Sequence, residues 1–333
     1  MPCLQTSTYQ APKWLPSGHS QTIFPSLFRR VPQVAFTRGK LTTSDGDFII
    51  LDRHTVDGHR DGGEPKTVVL LSHGLEGNSR RKYMRGMCLA FAAQGWDCLS
   101  RNFRACGGQM NLTPGMYHSG QTEDLHTVIN HCLDLGYERV LLVGFSMGGN
   151  QTLKYLGEDP GRVPPQVAGA VVFSVPCDLP GAAVVLDEPR NAVYMRYFLR
   201  TLRQKVRLKH PLFPELYPLD GLDGMRTFAE FDERYTAPVH GFSSALDYWQ
   251  KAACLPHLHR IQAPTLLVNA GNDPFLSPEC YPVAVAEKSA RFFLEIPEEG
   301  GHVGFSSPLG IKPYWSETRA VEFFRGLQDS IPS

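Results

Sequence analysis

The sequence predicts an α/β fold in which a mostly parallel central sheet is flanked by helices and carries a helical lid inserted late in the chain. Three observations lead there. Short, continuous apolar runs recur along the 333 residues, segments of helical periodicity lie between them, and the alternation breaks once, between Pro176 and Pro264. Continuous rather than alternating hydrophobicity is what a strand buried on both faces requires, and such strands belong to parallel sheets.

In chain order, residues 1–35 are rich in proline and read as an arm packed on the body. "QVAFTRGKLTTSDGDFIILDRH" reads as two extended segments around the turn signal Ser44-Asp45-Gly46-Asp47, an antiparallel start to the sheet. The buried strands follow at 67–72, 97–103, 140–145, 168–174, 265–270 and 291–296, with helical segments at 81–94 and 122–135. Strand and helix in alternation imply right-handed crossovers and a sheet covered on both sides. Residues 36–176 and 264–333 therefore form the core, and 177–263 the lid, with helical segments near 190–206 and 243–253. A connection of that length exceeds an ordinary loop.

Composition narrows the function classes. Basic and acidic residues balance at 33 each, so no charge excess points to nucleic acid. The amino terminus lacks the basic start and apolar stretch of a secretion signal, and no apolar run approaches the ~20 residues that span a bilayer. The chain reads as cytoplasmic. Its eight cysteines are scattered without a CxxC pair and are expected to be reduced, mostly buried thiols. Neither HExxH nor a His/Cys ligand cluster occurs, so no metal and no cofactor are expected.

The chemistry is concentrated in "VLLVGFSMGGN". Gly144-Phe145-Ser146-Met147-Gly148 matches GxSxG between an apolar strand and a helix-like segment, the context in which a sharp turn exposes a nucleophilic serine. A phosphate cradle is the competing reading, but Gly149 is followed by Asn150-Gln151 rather than by Lys-Ser/Thr, and the run does not satisfy GxGxxG.

A serine hydroxyl needs a base, and the base an orienting acid. After a nucleophile elbow they are expected in the order acid, then histidine, each following a late strand. Asp273 follows "TLLVNAGN" and His302 follows "RFFLEIPEEGG", which meets that order. Asp187, Asp232 and Asp247 fall inside the lid and Glu298 and Glu299 after the next strand; these are read as solvated or local structural charges. Two amides are candidate donors to an oxyanion: Met147, after the nucleophile, and Leu75, in "LLSHGLEGNS", where Gly74 ends the strand.

With these elements placed, the sequence resembles the α/β-hydrolase superfamily, and within it the YheT-like branch related to the membrane-anchored ABHD carboxylesterases and phospholipases. The resemblance extends over nearly the whole chain and rests on "GHSQTIFPSLFRR", "SHGLEGNS", "NFRACGGQMN", "YHSGQTEDL", "GFSMGGN", "FDERYTAP", "AGNDPF" and "GGHVGF". It implies the α/β-hydrolase fold, a triad of Ser146, Asp273 and His302, and hydrolysis of carboxylic esters. The related eukaryotic proteins resemble this chain after an N-terminal anchor, and none is expected here. Arg104, Gly107, Gly108, Tyr117, His118, Glu123 and Asp124, with His19 and Gln21 of the arm, are expected to order loops rather than to react.

The expected activity is a serine carboxylesterase acting on a small-molecule ester or lipid. An acyltransferase or phospholipase on the same residues, and a binding protein that keeps the fold without turnover, are the alternatives. Acyl length, alcohol group and oligomeric state are left open. "RNAVYMRYFLRTLRQKVRLKH" carries Arg190, Arg196, Arg200, Arg203, Lys205, Arg207 and Lys209 and no acidic residue. It reads as a basic amphipathic helix, either a solvated charged face on the lid or a site of transient membrane-surface contact.

Overall fold

The computed structural model describes residues 3–4, 7–56, 66–307 and 313–329. Residues 1–2 and 5–6 of the arm, and 57–65, 308–312 and 330–333 of the core segments, lie outside that set. Among the described residues nine strands form one sheet: β1 Cys3–Leu4, β2 Thr37–Thr42, β3 Phe48–His54, β4 Thr67–Ser72, β5 Asp97–Asn102, β6 Arg139–Phe145, β7 Val167–Phe173, β8 Thr265–Val268 and β9 Phe292–Glu295. Their order is β1-β9-β8-β7-β6-β4-β5-β3-β2. Neighbours run parallel from β1 through β5, and β3 and β2 are antiparallel.

The apolar runs work as a two-faced sheet demands. Alternate residues of β4 and β6, Val68, Leu70, Val140 and Leu142, enter the apolar layer on one side. Val69, Leu71, Leu141 and Val143 enter the layer on the other. The helices Glu123–Asp134 and Met147–Glu158 supply Val128, Ile129, Leu153 and Leu156 to the first layer. Lys82–Ala92 and Trp315–Asp329 supply Met84, Met87, Phe91 and Phe324 to the second. Successive side chains of a strand point to opposite faces, so one continuous apolar run serves both layers.

Between β7 and β8 the chain leaves the sheet and forms the helices Leu179–Asp187, Ala192–Lys209, Phe228–Phe231, Ala237–Val239 and Ala245–Ala252. They pack over the carboxyl ends of the strands through a third apolar cluster, in which Met195, Leu199 and Leu202 meet Phe103, Met116 and Met147. Helix Ala192–Lys209 is amphipathic, but its charged face is smaller than its sequence suggests. Lys205 and Lys209 are buried with Leu202 and Val206, because residues three and four apart share one helix face. Arg190 pairs with Glu188 at 2.6 Å, and Arg207 pairs with Asp223.

The arm is more regular than its proline content suggests. Gly18–Phe28 is a helix that starts in a reciprocal cap between Ser17 and Ser20 and tolerates Pro25 within it. It packs so closely on the loop after β8 that a Cβ on Gly18 would lie 2.0 Å from the Asn272 carbonyl oxygen. Seven cysteines are free and buried, and the side chain of Cys3 lies outside the described residues. Among the described residues no helix is long and apolar enough to cross a membrane.

Candidate active site

The site begins where β6 ends. Ser146 has φ 52° and ψ −121°, a left-handed conformation that costs about 1–3 kcal/mol in a non-glycine residue and must be held by its surroundings. Its N–H donates to the Phe173 carbonyl at 2.9 Å, and its own carbonyl accepts from Asn150 N–H at 3.0 Å. The flanking glycines are required by contact. A Cβ on Gly148 would lie 2.4 Å from the His73 carbonyl oxygen, and one on Gly144 would lie 2.7 Å from the Gly148 carbonyl oxygen. Backbone segments that pass this closely leave no room for a side chain.

Two loops converge on the Ser146 hydroxyl. Asp273, in the loop after β8, has its side chain fully buried and accepts the Phe275 N–H at 3.0 Å. His302, in the loop after β9, places Nδ1 2.9 Å and 3.1 Å from the two Asp273 carboxylate oxygens and Nε2 2.9 Å from Ser146 Oγ. A carboxylate only accepts, so Nδ1 carries the hydrogen and Nε2 is left to accept from the serine. The Phe275 ring lies 4.2 Å from the imidazole, centroid to centroid.

The histidine loop is held by side chains from distant parts of the chain. His302 N–H donates to Thr22 Oγ1 at 2.8 Å and Val303 N–H to Ser174 Oγ at 2.8 Å. Gly301 N–H donates to Asn272 Oδ1 at 2.9 Å, and Gly300 N–H to Gln21 Oε1 at 2.8 Å. Gln21 also accepts from the Asn272 amide at 3.0 Å, which ties the aspartate loop to the histidine loop. Sequence reading treated the arm as structural and missed Thr22, Asn272 and Ser174. The only local signal was their place in "GHSQT", "AGND" and "VVFS", because their partners lie up to 280 positions away.

Leu75 and Met147 line the same cavity as Ser146 and His302. Met147 opens its helix, so its N–H has no intrahelical acceptor. Gly74 brings the Leu75 loop against the serine: a Cβ there would lie 3.2 Å from Ser146 Cβ. That loop is anchored by His73, fully buried, whose Nδ1–H donates to Gly74 O at 2.7 Å while Nε2 accepts Phe103 N–H at 3.1 Å. Burial pushes the His73 imidazole down to about 3, so it stays neutral and keeps both bonds. Glu76, at φ 54°, follows Leu75, and its carboxylate accepts from Lys205 Nζ at 2.5 Å and from the Tyr117 hydroxyl. The helix Ala192–Lys209 is thereby joined to the loop that carries Leu75. Arg104 joins Asp124 at 2.7 Å and Asp45 at 2.5 Å, ordering the loops beside the site.

The cavity has a volume of about 930 Å³ including its open mouth, and Leu179, Leu186, Phe198, Leu202, Phe228 and Phe231 are among the side chains that line it. Such a space takes an acyl chain more readily than a polar molecule. Among the described residues no three His, Cys, Asp or Glu side chains come together as a metal site. All eight positions singled out from the sequence, Gly74, Leu75, Gly144, Ser146, Met147, Gly148, Asp273 and His302, meet at this one place.

Comparison with known proteins agrees with this architecture. A family model described as alpha/beta hydrolase fold matches residues 67–307. The chain is 34% identical over 311 residues to "Putative esterase YheT" of Escherichia coli, covering 92% of this chain and 89% of that protein. It is 31% identical over 305 residues to "Phospholipase ABHD3" of Homo sapiens, covering 90% of this chain and 74% of that protein. Among solved structures, a Pyrococcus furiosus esterase superposes with a TM-score of 0.58 at 18% identity, over 90% of this chain and 96% of that one, a likeness of fold.

Proposed function

The chain belongs to the α/β-hydrolase fold family, in the branch that contains YheT and the phospholipase ABHD3, and from its site we propose a serine hydrolase that cleaves carboxylic esters through an acyl-enzyme. One observation carries the reading: a strained, half-buried serine on the cavity wall whose hydroxyl meets His302 Nε2 at 2.9 Å while Nδ1 meets a buried carboxylate at 2.9 Å. Ser146 attacks the ester carbonyl as His302 takes its proton. The Leu75 and Met147 amides receive the charge that develops on the carbonyl oxygen, and Asp273 holds the imidazole and stabilises its charged form. His302 then returns the proton to the leaving alcohol. A water activated by the same imidazole releases the acid and restores Ser146.

The apolar cavity supports a hydrophobic acyl chain as the bound portion, consistent with relatives named esterase and phospholipase. The test is hydrolysis of a set of esters with acyl chains from acetyl to palmitoyl. Turnover that favours chains beyond acetyl, and falls at least about 10⁴-fold in Ser146→Ala, is expected for a nucleophile of this type. Turnover unchanged in Ser146→Ala, or none by the folded wild type on any ester, would overturn the proposal.

A further inference from the structure

One carboxylate lines the cavity, whose wall is mostly apolar but also carries His118, Ser119, Thr236 and Tyr248. Asp232 stands in "FDERYTAP" and reads from sequence as a solvated or local charge, yet it shares the cavity wall with Ser146 and His302. It opens a π-helical turn, Asp232–Thr236, between the helices Phe228–Phe231 and Ala237–Val239. A π turn inserted into a helix is an uncommon backbone choice that recurs at functional sites.

Its two oxygens are positioned by neighbours on the same wall. Oδ1 accepts the Thr236 hydroxyl at 2.6 Å, and Oδ2 accepts the Trp249 indole N–H at 2.8 Å. Neither partner is charged, and among the described residues no lysine or arginine pairs with this carboxylate. Burial pushes its carboxyl up to about 6, so at neutral pH it is mostly an anion in a low-dielectric space. An ionised carboxylate offers about four lone-pair directions, of which two are used here. Asp232 lines a cavity from which a bound acyl ester would exclude water, and an acceptor stripped of water without a new partner is costly.

Resting on the serine-hydrolase reading, we propose that Asp232 determines substrate specificity by accepting a hydrogen bond from a hydroxyl or ammonium group carried by the ester. Preferred substrates are thus amphiphilic esters with at least one donor group, and fully apolar esters of equal length are discriminated against. A site built to hydrogen-bond a substrate group rejects the analogue that lacks it more strongly than an apolar pocket rejects a missing methylene.

The experiment compares four esters: butyl octanoate, 1-octanoylglycerol, butyl 8-hydroxyoctanoate and 2-(dimethylamino)ethyl octanoate. For each, kcat/KM is measured per fluorophosphonate-titrated site in the wild type, Asp232→Asn and Asp232→Glu. The wild type is expected to prefer at least one donor-bearing ester over butyl octanoate by 10-fold or more, as a hydrogen bond to a charged group supplies. Which ester is preferred tells hydroxyl from ammonium and the alcohol side from the acyl side. In Asp232→Asn the amide N–H₂ replaces one acceptor oxygen, and in Asp232→Glu the carboxylate is displaced by one methylene; the preference should shrink at least five-fold in both.

A wild type that treats all four esters within two-fold overturns the inference whatever the variants do. So does a preference that survives in either variant, because a purely structural Asp232 would change rates on all four esters together. Failure of the wild type to titrate would instead strike the serine-hydrolase reading beneath it.

Discussion

Around Ser146 the chain is held in place by contacts that single atoms can break. Gly148→Ala places a methyl group 2.4 Å and 2.6 Å from the carbonyl oxygens of His73 and Ser72, both backbone atoms that cannot rotate away. Overpacking of this kind costs about 1–3 kcal/mol, and a lowered midpoint of denaturant unfolding is expected. A midpoint equal to that of the wild type would show that the strand and helix have more freedom than their packing indicates. Thr22 is a subtler case, because it touches no reacting atom and acts only through His302. Its Oγ1 accepts the His302 N–H at 2.8 Å and donates to Gly18 O at 2.6 Å. Thr22→Val orphans that N–H, worth about 1–3 kcal/mol. A roughly ten-fold fall in kcat with little change in KM is expected. Thr22→Ser keeps the hydroxyl and should restore kcat; a serine variant no better than valine would assign the residue to packing alone.

Among the elements, helix Ala192–Lys209, inserted between β7 and β8, is tied to the loop bearing Leu75. Lys205 reaches Glu76 at 2.5 Å with both side chains nearly buried, and removing one partner of such a pair strands the other charge at a cost of about 3–5 kcal/mol. Lys205→Met should therefore lower thermal stability and slow fluorophosphonate labelling, because Glu76 adjoins a proposed oxyanion donor. Labelling at the wild-type rate would separate the lid from the oxyanion loop. The same helix bears on membrane contact. Two of its lysines point inward and Arg190 and Arg207 are paired, so Arg196, Arg200 and Arg203 carry most of the outward charge not already bound to a carboxylate. Little co-sedimentation with anionic vesicles at low salt is expected, and strong, salt-sensitive binding would contradict that.

Strands and helices of the core were legible because their periodicity is local: 67–72 is β4 to the residue, and 122–135 holds the helix Glu123–Asp134. The arm helix was not legible, because Gly18 and Pro25 are poor helix formers and the segment is stabilised by packing on Asn272. The inward turn of Lys205 and Lys209 was present in their spacing from Leu202 and Val206, but the charge of the side chains concealed it.

At the scale of the whole molecule, buried histidines couple stability to pH. Burial lowers His73 to about 3 and His240 to about 4, and holds His118 well below its usual 6.5. The unfolded chain therefore binds more protons than the folded one from about pH 6.5 down to about 3 to 4, and acid favours unfolding across that window. Asp232 works in the opposite sense. Its carboxyl is raised from 3.8 to about 6, so its contribution is present below the lower value and lost as pH rises through the upper. With His126 and His257 also lowered, five histidines against the two raised carboxylates, Asp232 and Asp187, predict a melting temperature that falls from pH 7 to pH 5, measured calorimetrically; a rise over that range would contradict the assignment of neutral, buried imidazoles.

The proposed reacting groups stand out in the sequence for a different reason from the strands: a motif, a chain order and a strand end suffice to nominate Ser146, Asp273 and His302. What aims the histidine, and what lines the cavity, depends on contacts between distant segments such as Thr22 with His302 and Asp232 with Trp249. The central claim is that Ser146 is an activated nucleophile, and fluorophosphonate labelling followed by mass spectrometry of the modified peptide tests it directly. A single adduct on Ser146, absent from Ser146→Ala, is the predicted result. A folded wild type that takes no label, or an adduct on another residue that survives in Ser146→Ala, would contradict it.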